Sequence, residues 1–356
     1  MTKIAQIAPG GVVVGVDTHK DVHVAVALDG LGRKLDSITI ATTRKGYGQL
    51  VSWAKGLGSI EVFGLEGTGS YGAGLGRHLR SLDYRVVEVV RPNRQARRRN
   101  HKSDPADAEA AARAVLSGEA AGVPKSGDDM VEMIRVLRVA RSTAMKARTQ
   151  SLNALKALVV TAPVELRDQL RGRSNRALIA TAARLRAGRE ATALAANKTA
   201  MRILAGRYQA LDAEIAALDA QLAELTAETA PKLLSAFGVG PDSGGALLVA
   251  AGDNPDRLRS DAAFAMLCGS APVEASSGKT VRHRLNRGGD RQANAALHRI
   301  VVVRMRYHAP TRAYVERRTA QGLSKAEIIR CLKRYVAREI YGLLRHTLTP
   351  ATPTAA

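Results

Sequence analysis

Three short runs of β-branched residues open the chain, and their spacing constrains the fold more than any other feature of the sequence. The runs cover residues 12–17, 23–29 and 34–41, and short turns separate them. Such closely spaced strand-like runs are typical of an antiparallel meander, because tight turns can join only antiparallel neighbours. We therefore predict that the chain begins with a three-stranded antiparallel sheet.

The pattern then alternates between helix-like and strand-like segments. A helix-like stretch is followed by a strand ending at Glu66, a glycine-rich turn at residues 67–74 and a helix to about residue 81. A strand at residues 84–90 and an alanine-rich helix beginning near Ser103 complete the region. The order βββ-α-β-α-β-α is that of the ribonuclease H-like nuclease fold, which we predict for residues 1–127.

Strand signals disappear between residues 128 and 230, where alanine, leucine, arginine and glutamate dominate. Apolar residues there recur in alternating steps of three and four, which indicates a coiled-coil seam. The seam residues are Met201, Leu204, Tyr208, Leu211, Ile215, Leu218, Leu222 and Leu225. The partner helix lies either in the same chain, at residues 130–158, or in a second subunit. We favour contact between subunits, as a homodimer or homotetramer, because a protruding helical arm is a natural dimer contact.

Residues 231–348 form a second compact, mostly helical region in this interpretation. The turn Gly238-Val239-Gly240 fits either a helix-hairpin-helix, whose backbone N–H groups hold a phosphate, or an ordinary turn between helices. The tail at residues 349–356 has no apolar content to order it, so we expect it to be disordered.

Four carboxylates are placed where they can converge. Asp17 and Glu66 end two predicted strands, while Asp104 and Asp107 are three residues apart at the start of a helix and share one face. Clustered carboxylates repel one another unless a cation lies between them. We therefore predict that these four residues form a catalytic site that holds Mg²⁺, for which Mn²⁺ can substitute.

Basic residues greatly outnumber acidic ones, giving a formal net charge of +22, which suits a polyanionic partner such as DNA. The excess is concentrated in two clusters, one before the helix that carries Asp104 and one in the C-terminal region. The predicted nucleic-acid-binding residues are Arg94, Arg97, Arg98, Arg99, Lys102, Lys279, Arg282, Arg284, Arg287 and Arg291.

The cysteines and histidines do not indicate a zinc site. Cys268 and Cys331 are the only cysteines, and they form neither a C-x-x-C pair nor a disulfide framework. His19, His23 and His101 lack metal-ligand spacing, so we expect them on the surface or in strands, with His19 a candidate to support the carboxylates. No signal peptide and no uncharged run of roughly 18 residues is present, so we expect a cytoplasmic protein without a membrane partner.

Several motifs together resemble one family. These are GVDTHKD from residue 15, LEGTGSYG from residue 65, KSDPADAEAAARA from residue 102, FGVGPDSGGALLVAAGD from residue 237 and CGSAPVEASSGKTVRHRLNRGGDRQANAAL from residue 268. The first three resemble the RuvC-like domain of DEDD transposases of the insertion sequence 110 family, and the last two resemble their second domain. The resemblance extends from about residue 11 to residue 345.

The resemblance implies a bacterial transposase that cuts and rejoins DNA and associates with the nucleoid when active. It further implies that Ser277 attacks a DNA phosphate to form a covalent phosphoserine, and that a structured bridge RNA guides target choice. Ser276 is a competing nucleophile, and His283 is the only histidine near it in the sequence. By residue pattern alone, a serine beside glycine is usually a turn residue.

Three other functions stay open at this point. A junction resolvase would use the same acidic site without a serine step, although such endonucleases need little more than the nuclease domain. An actin-like kinase or ATPase would need a second nucleotide lobe, for which the sequence offers no candidate. A non-enzymatic nucleic-acid binder would leave the four carboxylates of this basic chain unexplained.

Overall fold

A computed structural model of the chain describes residues 8, 10–89, 103–127, 129–188, 191–253, 258–278 and 283–348. The described residues divide into two compact units. The first, here called the sheet unit, contains the described parts of Met1–Asp129 and Ala251–Phe264. The second, the helical unit, contains those of Met130–Ala250 and Ala265–Thr347. The division predicted above, at residues 127, 230 and 348, stays a prediction.

The sheet unit is built around five strands in the order β3-β2-β1-β4-β5. The strands β1, β2 and β3 pair antiparallel, whereas β4 and β5 run parallel to β1. Their bounds are Gly11–Thr18, Val22–Asp29, Lys34–Ala41, Ser59–Glu66 and Val86–Val89. The expected meander and the mixed α/β class are therefore confirmed.

Helices cover both faces of this sheet, which explains why every residue of β1 is buried. Helices α1 (Arg44–Leu57) and α2 (Ala73–Arg80) pack on the face formed by alternate residues such as Val14 and Val16. Helix α3 (Asp104–Leu116) packs on the opposite face. A strand that is buried on both sides reads as a continuous apolar run, as β1 does.

The helical unit is dominated by two long helices, α4 (Met130–Thr161) and α7 (Ala193–Thr229). The other elements of this unit are α5 (Val164–Leu170), α6 (Asn175–Ala183), α8 (Pro231–Leu234), α9 (Pro241–Ala251), β6 (Val273–Glu274), β7 (His283–Arg284), α11 (Arg291–Tyr307), α12 (Ala309–Ala320) and α13 (Lys325–Leu348). Helix α10 (Asp261–Leu267) begins in the sheet unit and ends in the helical unit. The mostly helical C-terminal region is confirmed. Across the described part of the chain, none of the helices combines the length and the apolar character required to cross a membrane.

The partner of the predicted seam lies in the same chain. Helix α4 packs along α7, and ion pairs join Arg141 to Asp219 and Arg148 to Asp212. Residue numbers rise by seven on one helix and fall by seven on the other, so the helices are antiparallel. All eight seam residues are buried or half-buried. The contact between subunits that we expected at this seam is therefore replaced by a hairpin within the chain, while the homodimer or homotetramer stays a prediction.

Candidate active site

Asp17 and Glu66 lie side by side at the carboxyl ends of β1 and β4. The parallel register aligns Val16 with Leu65, so the next residue of each strand is a carboxylate. Both carboxylate residues are buried, at 4% and 2% relative exposure. The Thr18 hydroxyl donates a hydrogen bond to the Glu66 carbonyl oxygen at 2.9 Å and ties the two strand ends together. Alternation along the strands directs both acids to the face that α3 covers.

Two glycines allow α3 to lie unusually close to this face. A Cβ atom at Gly15 would lie 2.1 Å from the carbonyl oxygen of Ala108, and one at Gly64 would lie 2.6 Å from Cγ2 of Val115. No side chain larger than hydrogen fits at such distances. The close approach brings the first turn of α3, which carries Asp104 and Asp107, to the carboxyl end of β1. Ser103 precedes this turn as the N-cap residue, but its hydroxyl makes no capping hydrogen bond.

Two of the predicted site residues, Asp17 and Asp104, lie close together, and His19 lies between them. Nε2 of His19 donates to Oδ2 of Asp17 at 3.0 Å and lies 3.5 Å from Oδ1 of Asp104. One ligand atom from each of the three side chains lies within 4.8 Å of the other two. Glu66 and Asp107 are at the same end of the sheet but are not part of this group of three.

His19 thus lies against two of the predicted carboxylates, which is the position of a side chain that supports them. The available signal was its position two residues after Asp17, because residues two apart on an extended strand point to the same side. The side chain of His19 is 44% exposed, and that of Asp104 is 47% exposed, whereas Asp17 is enclosed. The cluster therefore has a buried floor and a side open to solvent.

The donor set fits a hard divalent cation. A buried carboxylate such as Asp17 is costly unless a positive charge or hydrogen bonds compensate it. Carboxylate oxygens are the ligands that Mg²⁺ and Mn²⁺ prefer, and an imidazole nitrogen is more readily accepted by Mn²⁺ than by Mg²⁺. Asp17, Glu66 and the two aspartates of α3 supply carboxylates from three elements of the sheet unit.

The serine motif lies in the helical unit, in the loop between β6 and β7. These strands pair antiparallel through Val273 with Arg284 and Glu274 with His283. Ser276 and Ser277 are both exposed on the loop. The structure gives each of them the access that a nucleophile requires and does not discriminate between them.

The predicted nucleic-acid residues are described in part. Arg284, Arg287 and Arg291 are exposed around the serine loop. The others lie outside the described residues: Arg94, Arg97, Arg98, Arg99, Lys102, Lys279 and Arg282. The same holds for His101 and for the tail at residues 349–356.

The Gly238–Gly240 turn uses its backbone groups within the chain. Gly238 adopts φ 78°, a conformation that favours glycine. The N–H of Gly240 donates to the Ser243 hydroxyl at 3.1 Å, and that hydroxyl donates to the Gly240 carbonyl at 3.0 Å. The Gly240 amide, one candidate for the phosphate contact that a helix-hairpin-helix provides, is therefore already satisfied.

Sequence reasoning missed a basic cavity in the helical unit. A cavity of about 680 Å³ lies between α13 and the segments that flank the serine loop. Helix α13 contributes Arg330, Lys333, Arg334, Tyr335 and Arg338. The spacing of 330, 334 and 338 places these arginines on one face of a helix, which is the signal that could have identified them.

Comparison with protein families matches two regions of the chain. Residues 14–162 match a model of DEDD transposases of the IS110 type, described as "Transposase". Residues 230–316 match a model described as "Transposase IS116/IS110/IS902 family". Together the two models cover about two thirds of the sequence. Comparison with individually curated proteins gives no match.

Proposed function

Because the chain belongs to the insertion sequence 110 family of transposases, an enzyme family that acts on DNA and uses divalent metal, we propose that it cuts and rejoins DNA through a Mg²⁺-dependent acidic site and a serine nucleophile. The observation that carries the proposal is the meeting of Asp17, His19 and Asp104 at the carboxyl end of β1.

The sheet unit is assigned to the ribonuclease H-like, RuvC-like fold. Three antiparallel strands followed by two parallel ones, in the order β3-β2-β1-β4-β5, support this assignment. Helix α3 crosses the face on which the acids lie. The antiparallel pair of α4 and α7 is assigned as the coiled-coil arm, and residues 231–348 as the transposase domain with a helix-hairpin-helix-like turn.

The acidic residues would hold the metal, with Asp17, Glu66, Asp104 and Asp107 as ligands and Mn²⁺ able to replace Mg²⁺. A divalent ion, when bound, supplies a positive charge that favours a deprotonated nucleophile and a negatively charged leaving oxygen. The buried Asp17 supplies a carboxylate at a fixed position in this site. His19 holds the Asp17 carboxylate through its 3.0 Å hydrogen bond and so acts as a positioning residue.

The exposure of the loop between β6 and β7 supports the serine step. The Ser277 oxygen attacks phosphorus and forms a phosphoserine bond, while the phosphorus–oxygen bond to the departing deoxyribose breaks. The serine proton ends on that departing oxygen. Rejoining reverses the step with a new strand end as the nucleophile. Ser276 stands as the competing nucleophile, since both hydroxyls are exposed.

The basic residues would hold nucleic-acid phosphates. Arg284, Arg287 and Arg291 are exposed close to the serine loop in sequence, as phosphate contacts require. The cluster at residues 94–102 serves the same role for the acidic site. We further propose that a structured guide RNA selects the target, and that two or four copies assemble to bring two DNA partners together.

A cleavage and adduct assay tests the proposal. We expect Asp17→Asn and Asp104→Asn to abolish Mg²⁺-dependent cleavage of supercoiled DNA carrying the element ends, with the copurified RNA present. We expect His19→Ala to reduce the rate about 10- to 100-fold, as outer partners of metal ligands do. The matched control is Asp83→Asn, because Asp83 is an exposed acid in a turn of the same unit and tolerates asparagine at φ 60°.

The serine variants separate the proposal from its alternative. Ser277→Ala is expected to remove the covalent protein–DNA adduct on denaturing gels, with Ser276→Ala as the matched control. Loss of the adduct in the Ser276 variant alone would move the nucleophile by one residue. Cleavage without an adduct in the unmodified protein would favour the junction-resolvase mechanism. Full cleavage by both aspartate variants would overturn the metal site.

A further inference from the structure

The cavity beside α13, hereafter the α13 cavity, has a lining of which only Arg284 takes part in the function proposed above. Its basic side chains are Arg284, Arg330, Lys333, Arg334 and Arg338. No carboxylate is found among the described residues that line it. A concave site with this charge and a volume of about 680 Å³ is in the size range of sites for small ligands.

The second large groove of the helical unit shows how unusual this lining is. That groove runs along α4, and it contains Asp242. The Asp242 carboxylate pairs with Arg138, Arg141 and Arg299, so the arginines there have an internal counter-ion. The described lining of the α13 cavity itself contains no acid, so its net charge is positive and it attracts anions.

An aromatic ring stands beside the cations. Tyr335 is 54% exposed although it lies on the face of α13 that lines the cavity. The Tyr314 ring packs against it at a centroid distance of 5.7 Å and an interplanar angle of 82°, which fixes its orientation. Leu285 and Pro272 add apolar surface to the same lining. An exposed aromatic ring next to arginines is the combination that unstacked bases bind.

The two sides of the cavity are held together by hydrogen bonds. Nζ of Lys333 donates to Oδ1 of Asn294 at 2.8 Å. Nδ2 of Asn294 in turn donates to the carbonyl oxygens of Cys268 and Gly269, at 2.8 Å and 3.1 Å. The site is thus formed before any ligand arrives, which lowers the entropic cost of binding.

We propose that the α13 cavity binds one unpaired nucleotide of DNA or RNA, with its base against Tyr335 and its phosphates on the arginines of α13. A base pair inside a duplex cannot place one face on an aromatic ring, so the cavity selects a base that has left the stack. Because β7 contributes Arg284 to the lining, the bound nucleotide lies at the base of the hairpin that carries Ser277. The inference goes beyond the proposed chemistry and rests only on the protein's action on nucleic acid.

Fluorescence anisotropy with the full-length protein tests the inference. The probes are a labelled 20-nucleotide DNA strand, an RNA of the same sequence, and the corresponding DNA duplex. We expect Tyr335→Ala to weaken single-strand binding roughly 5- to 150-fold, the range for the loss of one stacked base, and to leave duplex binding unchanged. Tyr335→Phe is expected to retain single-strand affinity. The matched control is Tyr307→Ala, because Tyr307 is 62% exposed next to Arg306 but does not line the cavity.

An abasic scan removes the contribution of other basic surfaces. Each nucleotide of the strand is replaced in turn by an abasic one. With the unmodified protein, the replacement should weaken binding at one position of the strand. With Tyr335→Ala, it should weaken binding at no position. The DNA and RNA arms show which nucleic acid supplies the nucleotide. An equal loss for single strand and duplex, or a flat scan, would overturn the inference. The serine adduct, measured on the same Tyr335→Ala preparation, reports the proposed chemistry separately and shows that the protein is folded.

Discussion

The sheet unit and the helical unit hold their functional residues in place by different means. In the sheet unit, close packing holds the elements: Gly15 lies against the backbone of α3, and Gly64 lies against the Val115 side chain, so closely that no Cβ atom fits. In the helical unit, charged and polar side chains connect the elements. Asp242 pairs with three arginines, and Arg304 joins the carboxylate of Glu339. The first arrangement depends on shape, and the second depends on charge.

The difference matches what each site has to hold. A metal site requires carboxylates fixed within a few tenths of an ångström, which close packing achieves and loose side chains do not. A nucleic-acid surface requires many positive charges that repel one another, so some acids are needed to hold the arginine-rich helices together. We therefore expect the sheet unit to be sensitive to added volume and the helical unit to lost charge.

The largest expected effect comes from adding one methyl group at Gly15. Gly15→Ala places a Cβ atom 2.1 Å from a carbonyl oxygen of α3, so the helix has to move. We expect the free energy of unfolding to fall by more than about 3 kcal/mol, and cleavage to be lost. Denaturant unfolding and the cleavage assay measure both quantities.

The control for this experiment is another glycine-to-alanine change in the same unit. Gly48 lies within α1, and a Cβ atom there meets nothing within 4 Å. Gly48→Ala should stabilise the protein by about 0.5–1 kcal/mol, because alanine favours the helix. If both variants unfold at the same denaturant concentration, close packing does not support the acidic site.

A smaller effect is expected from removing a charge in the helical unit. Arg304 is 7% exposed, and it donates to the Phe237 carbonyl at 2.8 Å and to both carboxylate oxygens of Glu339, at 2.6 Å and 2.8 Å. The hydrogen bonds from Arg304 hold the pKa of Glu339 below its usual value. Glu339→Gln leaves the arginine without its counter-charge, which we expect to cost about 1–3 kcal/mol in thermal or denaturant unfolding.

An exposed ion pair of the same unit provides the control. Glu327 lies 3.9 Å from Arg330, and both side chains are nearly half exposed. Glu327→Gln should change the free energy of unfolding by less than about 1 kcal/mol. Equal costs for the two glutamates would mean that burial of Arg304 contributes nothing, and the contrast between the units would then lose its physical basis.

The sequence predicted the sheet unit more completely than the helical unit. Strand β3 was predicted at its observed bounds, and the helix expected near Ser103 begins at Asp104. These elements are delimited locally, by turns and by a helix start. Asp17 and Glu66 were found because strand ends on one sheet edge converge, whereas the contact of His19 with Asp104 depends on how closely α3 approaches.

The sequence did not determine which distant segments of the chain pack together. The heptad pattern of α7 identified a seam, but the same pattern suits a helix of the same chain and a helix of another subunit. The cavity beside α13 combines residues from two distant segments, and Tyr335 by itself is an ordinary exposed tyrosine. Such sites become visible only when the segments are brought together.

The smallest expected effect is a pH dependence in the sheet unit, and it tests how completely packing excludes charge there. His23 is fully buried and stacks on Tyr47 at a centroid distance of 5.9 Å. Its Nδ1–H donates to the Val22 carbonyl, and its Nε2 has no hydrogen-bond partner among the described residues. Burial lowers the pKa of His23 below its ordinary value of 6.5, so the unfolded chain takes up the proton first.

The free energy of unfolding should therefore fall as the pH drops through about 6.5, and the loss from this group between pH 7 and pH 6 is at most about 0.7 kcal/mol. His23→Phe keeps an aromatic ring against Tyr47 and removes the titrating nitrogen, so the difference between its stability curve and that of the unmodified protein isolates the contribution of His23. His298→Gln is the control, because His298 is exposed on α11. If the His23→Phe curve runs parallel to that of the unmodified protein over this range, water or a proton reaches the interior of the sheet unit, and its packing is looser than the glycine contacts require.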